Sequence, residues 1–172
     1  QYSEDALVRL ADCYLISKDF TQALKYYDQA FVNNKSDKDY ALFQKGVTLK
    51  LLDKDDEAKD VFSKFSKLFG NSRLIDDALY QNALLEMDKS NYQNAVAIFT
   101  ELMKQKPNSS LISNVLLKRG LSFSNMQNYD RAIADYQLIL KKYSKSPAAE
   151  EALLGIKDAL NIQNRSDEFF DI

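Results

Sequence analysis

Apolar residues recur along this chain at spacings of three and four, in stretches that alternate with short polar turns. Such periodicity is that of amphipathic helices. It predicts first helices at about 3–17, 37–52, 73–88 and 110–126, and second helices at about 20–33, 55–69, 91–105 and 128–143. Within each pair the turns are Lys18-Asp19, Leu52-Asp53-Lys54, Lys89-Ser90 and Gln127-Asn128. They are rich in residues whose side chains cap helices by accepting from free backbone amides, and turns this short force the two helices antiparallel. Between pairs stand Ser36-Asp37, Gly70-Asn71-Ser72, Pro107-Asn108-Ser109-Ser110 and Ser144-Lys145-Ser146-Pro147. Gly70 is expected at a C-cap with positive φ, and Ser146 at an N-cap followed by proline in the first helical position.

The helix pairs share one register. Ala23, Ala58, Ala95 and Ala132 lie 35, 37 and 37 residues apart, and twelve positions before each is a small residue: Ala11, Gly46, Ala83 and Gly120. Leu7, Leu42, Leu79 and Leu116 precede those by four, and Tyr27, Phe62, Phe99 and Tyr136 follow the alanines by four. A period of this length marks stacked repeats, each unable to bury its apolar face alone. Helix axes approach to about 8–10 Å only where the crossing side chains are little. Gly46 is therefore expected against Ala58, and Gly120 against Ala132.

Composition narrows the function more than it names it. The 172 residues carry four glycines and two prolines, which favours helix over sheet, and 23 basic against 25 acidic residues interspersed, for a net charge of −2. That balance gives no pull toward nucleic acid or an anionic membrane. No run approaches the roughly 18 apolar residues of a membrane span. Histidine is absent and Cys13 is the one cysteine, so the commonest general base and metal ligand is missing and a nucleophile has no partner base. No phosphate-cradling glycine loop occurs, and Asp53-Lys54-Asp55-Asp56-Glu57 reads as a helix start rather than a calcium loop. The chain is read as no enzyme, with no cofactor and no metal.

Leu7, Ala11, Tyr14, Ala23, Tyr27 and Ala30, then Leu42, Gly46, Ala58 and Phe62, then Leu116, Gly120, Phe123, Ala132 and Tyr136 resemble the tetratricopeptide repeat pattern. Glu86 and Leu49 stand where that family usually has an aromatic. The resemblance implies an all-α, right-handed superhelical α-solenoid: one domain over 1–172, with repeats at about 4–38, 39–75, 76–112 and 113–149 and a partial fifth at 150–172. The fifth has its first helix at about 147–160 with Leu153 in register, and residues 165–170 look like the start of its second helix. A chain in helical register by Glu4 that opens without methionine is expected to be a piece of a longer protein. The strings around Gly70-Asn71-Ser72, Pro107-Asn108-Ser109 and Tyr143-Ser144-Lys145-Ser146-Pro147 resemble repeats of bacterial envelope proteins, namely the outer-membrane β-barrel assembly lipoprotein and the Tol-Pal-associated periplasmic coordinator. That likeness implies a periplasmic or outer-membrane-associated adaptor; a cytoplasmic place is the alternative.

In this family the first helices line a concave groove. The resemblance places Tyr40, Phe43, Val47, Lys50, Asp77, Tyr80, Leu84, Asn114, Leu117, Lys118 and Leu121 as partner-binding positions, with Val8, Asp12 and Leu15 on the first repeat. Phe43, Val47, Tyr80, Leu84, Leu117 and Leu121 suit the apolar face of a peptide or helix, or pack against a neighbouring first helix as core. Tyr40, Phe43 and Tyr80 are the expected exposed anchors, since aromatics combine apolar area with a polar tip. Lys50, Asp77, Asn114 and Lys118 would supply specificity. The lysine and asparagine clamp with which one subclass holds a C-terminal carboxylate is absent. The expected function is a protein–protein interaction scaffold. The alternatives are a spacer within a longer solenoid, which could self-associate end to end, and a regulatory domain of a larger protein.

Overall fold

The computed structural model describes residues 4–33 and 36–171. Among these, nine α-helices follow one another, with antiparallel packing of neighbours inside each of two units: α1 (Glu4–Ile16), α2 (Phe20–Asn33), α3 (Lys38–Leu51), α4 (Asp55–Leu68), α5 (Ile75–Asp88), α6 (Tyr92–Gln105), α7 (Ile112–Asn125), α8 (Tyr129–Lys142) and α9 (Ala148–Ile162). A six-residue 3-10 segment, Ser166–Asp171, comes last. Each helix lies within a few residues of its predicted bounds. The chain divides into two compact units, residues 1–85 and 86–172, with the boundary inside α5.

In the first unit α1 packs on α2, α2 on α3 and α3 on α4. Its core runs through Ala11, Ala23, Tyr27, Leu42, Leu49, Ala58, Phe62 and Phe65, all buried. In the second unit α6 packs on α7, α7 on α8, and α8 on α9. The Ala132, Tyr136 and Ile139 face of α8 is buried there, as are Leu116 and Gly120 of α7. The register alanines and aromatics thus lie inward, as their period requires.

What lies nearest each of these glycines is an aromatic ring. A Cβ on Gly46 would meet Cε1 and Cζ of Phe62 at 2.7 Å, and one on Gly120 would meet Cε1 of Tyr136 at 2.5 Å. It is the aromatic four residues beyond the alanine that needs the space. Tyr136 is approached from its other edge as well, because a Cβ on Gly155 of α9 would lie 2.6 Å from its Cε2.

The turns within pairs are closed by a device the sequence does not advertise. Lys18, Asp53, Ser90, Gln127 and Asn164 all have φ between 56° and 62°, spaced by 35, 37, 37 and 37 residues. After each, the next amide donates to the carbonyl five residues back: Asp19 to Tyr14, Lys54 to Leu49, Asn91 to Glu86, Asn128 to Phe123 and Arg165 to Leu160, at 2.8–2.9 Å. This is the six-to-one bond that closes a helix through a left-handed residue, here made five times without glycine. Gly70, expected to supply positive φ, does not; no described glycine does. The bonds that close the preceding helix are made by backbone amides, and the expected side-chain caps of the following one are mostly missing. Asp19 caps α2 through Gln22 N–H at 3.1 Å, but Lys54, Asn91 and Asn128 make no side-chain cap bond. Ser146 does not cap α9 either: Pro147 takes the N-cap position and Ser146 Oγ is buried without a partner.

The fifth repeat also departs from expectation. Residues 166–171 form a 3-10 segment rather than the first turn of a second helix. Thirty-seven residues past Gly120 stands Lys157, and 37 past Ala132 stands Phe169. A lysine and a phenylalanine thus stand where the earlier repeats have small residues.

Candidate first-helix surfaces

Seven of the expected partner-binding residues fall in the first unit. Tyr40, Phe43, Val47, Lys50, Asp77, Tyr80 and Leu84 are all half-buried. Tyr40 is already engaged. Its hydroxyl donates to Asp12 Oδ1 at 3.1 Å, and Tyr27, buried in the core, donates to the same oxygen at 2.5 Å. Burial first, then the nearby Asp12 charge, raises the Tyr40 phenol above its ordinary range; burial and the Asp12 hydrogen bond do the same to Tyr27. Phe43 is drawn inward too, with its ring centroid 5.8 Å from Phe62 and 6.2 Å from Phe65 in tilted and edge arrangements. These two expected anchors are half-buried and already have neighbours within the unit.

Lys50 Nζ donates to Gln81 Oε1 at 2.5 Å, which ties α3 to α5. Asp77 is different: its carboxylate has neither hydrogen bond nor ion pair among the described residues. Burial, and then the like charge of Asp76, raise it above the ordinary carboxylate range. One turn on lies Tyr80, and Leu84 follows at i+4 from that, so the three share a helix face.

The other four expected residues belong to the second unit, on α7. Leu117 is 8% exposed and belongs to the core, Lys118 is half-buried, and Asn114 and Leu121 are exposed. Sequence reasoning missed a neighbour of Lys118. Arg119 forks onto Asp135 of α8 through Nε–Oδ2 at 2.8 Å and Nη2–Oδ1 at 2.7 Å, and its Nη1 reaches Thr100 Oγ1 of α6 at 3.0 Å. The pair is structural, since both side chains are largely buried. The one signal for it is a basic residue beside the register glycine, which Lys45 repeats with its 2.6 Å bond to Asp28.

A hollow of about 380 Å³ lies by α8, α9 and the 3-10 segment, lined by residues that include Asp130, Ile133, Leu160, Arg165 and Glu168. Arg165 sits between two carboxylates, with Nη1 to Asp130 at 2.7 Å and Nη2 to Glu168 at 2.7 Å. Hydrogen bonds from Gln163 and Arg165 hold Asp130 below the usual carboxylate range, and Arg165 does so for Glu168. Cys13 is exposed. Among the described residues, no group of three histidines, cysteines or carboxylates could hold a metal ion, and no helix is long and apolar enough to cross a membrane.

This architecture defines a helical-repeat protein, built of packed α-helices in succession. Family profiles described as tetratricopeptide repeat match residues 4–31, 40–72 and 114–146, together more than half of the chain. The chain belongs to the tetratricopeptide repeat family. No curated protein matches it in sequence. Among solved structures it is similar to MamA (19% identity, TM-score 0.79, 98% of this chain and 86% of that one). It is also similar to a tetratricopeptide repeat protein from Parabacteroides merdae ATCC 43184 (18%, 0.81, 98% and 64%) and to MamA 41-end from Desulfovibrio magneticus RS-1 (15%, 0.78, 98% and 89%). At these identities the likeness is one of fold. Folds of this family generally serve as scaffolds for protein partners and are typically non-catalytic.

Proposed function

We propose that this chain binds a segment of a partner protein along the first helices of its first unit, with Asp77, Tyr80, Leu84 and Val47 as the contact residues. The observation that carries this reading is the state of Asp77. A half-buried carboxylate without a counter-charge is unfavourable in the free protein, and a cationic group on the partner would relieve it. Val47 and Leu84 offer apolar area beside it, while Lys50 and Tyr40 are held in place by Gln81 and Asp12 and keep the surface pre-organised. Asn114, Lys118 and Leu121 make a smaller patch on α7. The likeness of the inter-repeat strings to envelope repeats supports a periplasmic or outer-membrane-associated adaptor. The structures similar in fold, MamA and a bacterial repeat protein, are not of those envelope types, so this part rests on the strings alone.

A photo-crosslinking amino acid placed at Leu84 tests the site, with the same group at Lys67 on the exposed side of α4 as control. Adducts to one partner from Leu84 and not from Lys67 are expected. Equal adducts from both, or from Lys67 alone, would contradict the assignment.

A further inference from the structure

The balanced charge of the whole chain conceals a local imbalance in the second unit. Residues 102–117, from the end of α6 into α7, and 136–149, from α8 to the start of α9, hold Lys104, Lys106, Lys141, Lys142 and Lys145 and no aspartate or glutamate. Helix α7 packs antiparallel on both α6 and α8, so the C-terminal ends of those two and the start of α7 meet at one end of the unit, with the axes of α6 and α8 within about 20 Å. Lys104 and Lys141 hold the same register position, 37 residues apart. Lys106 is half-buried and the other four are exposed. None of the five ammonium groups has a hydrogen bond or ion pair among the described residues.

Lysine in the last turn of a helix answers the partial negative charge of its carbonyl end. That accounts for Lys104, Lys141 and Lys142. It does not account for Lys106 and Lys145, which lie beyond the helices, or for the missing acids. At the corresponding end of the first unit, residues 65–77 set Lys67 and Arg73 against Asp76 and Asp77. Helices α3, α5 and α9 each have one or two acidic residues in the first turn and α7 has none, so its amide end adds to the positive field. Glu101, which accepts from Gln105 at 2.7 Å, and Glu150 and Glu151 of α9 mark the borders of the patch.

The residue types select among anionic partners. Phosphates are best held by the planar fork of arginine, and these stretches contain none. Bases of a single strand stack on exposed aromatics, but Tyr136 is buried and Tyr143 half-buried. A membrane contact adds apolar side chains to a basic face, and no large apolar residue is exposed here. Carboxylates ask only for compact point charges, which lysines are. We propose that this end of the second unit binds an acidic segment of a partner protein through Lys104, Lys106, Lys141, Lys142 and Lys145, a surface separate from the α3 and α5 residues assigned above.

Fluorescence anisotropy of a labelled decaglutamate peptide, titrated with the 172-residue chain at low salt, tests it, with the helicity of each variant checked by circular dichroism. Lys104→Glu with Lys141→Glu, and Lys142→Glu with Lys145→Glu, should each weaken binding by about tenfold or more, and the affinity of the parent should fall as salt rises. Lys67→Glu with Arg73→Glu, an equal change of net charge in the first unit, should cost less than about threefold. A peptide that does not bind at low salt overturns the proposal, as does a first-unit control that loses as much as the patch variants. So does tighter binding of decathymidylate or of phosphatidylserine vesicles than of the peptide, which would make the patch a nucleic-acid or membrane surface.

Discussion

Arg119 of α7 and Asp135 of α8 form a two-bonded fork at 2.8 and 2.7 Å, with side chains only 16% and 8% exposed. Removing one member leaves the other charged and buried. Asp135→Ala should cost about 3 kcal/mol, while Arg119→Met with Asp135→Leu should come close to the parent. Urea denaturation of the two singles and the double reads this coupling. The more exposed Lys45–Asp28 pair, at 25% and 49%, should yield less than about 1 kcal/mol in the same experiment.

Gly120→Ala and Gly155→Ala test the approach of Tyr136 from both sides. Alanine gains about 1 kcal/mol of helix propensity at an exposed site. Here its Cβ would lie 2.5–2.6 Å from the buried ring, so overpacking should turn the gain into a net loss of about 1–3 kcal/mol. Tyr136→Leu should make Gly120→Ala nearly silent. Thermal melts of the single and paired variants decide it.

The five left-handed turn residues predict the opposite sign for glycine elsewhere. Lys18→Gly and Ser90→Gly relieve a side chain held at φ 62° and 59°. Each should stabilise by about 0.5–1 kcal/mol, the relief exceeding the added freedom of the unfolded chain. Asn164→Gly should gain less, because asparagine tolerates this conformation. A glycine at Gln137, inside α8, should destabilise in the same assay.

Asp77 predicts a pH dependence. Its folded pKa is raised from 3.8, so the native state holds the proton more tightly than the unfolded one. The stability this confers is present below about pH 3.8 and is lost as pH rises through the folded value. Asp77→Asn should therefore raise the melting temperature at pH 7 and make little difference near pH 3. Asp130 and Glu168 run the other way. Their lowered values mean that the Arg165 ties are present at neutral pH and lost as pH falls below the usual carboxylate range.

The helices and their register were legible because two periods, 3.6 and about 37, act on the same residues. Ala23, Ala58, Ala95 and Ala132 could be placed inward from spacing alone. What Gly46 and Gly120 face was not legible, because an aromatic such as Tyr136 reaches across the crossing, and sequence distance says nothing of that reach. The left-handed turns were hidden by Lys18 and Gln127, residues that give no conformational signal. At the surface, the pattern that marks Phe43 and Tyr40 as groove residues is the same pattern that packs them onto Phe62 and Asp12. Periodicity cannot separate a half-buried anchor from a half-buried spacer. Asp77 stood out only once its lack of a partner could be seen.

The most direct test of the account is retention of a partner by the purified chain beside an Asp77→Lys, Tyr80→Ser variant whose helicity and melting transition are intact. The account predicts a protein held by the parent chain and released by the variant, with affinity that falls as salt rises. A partner held equally by both would contradict it.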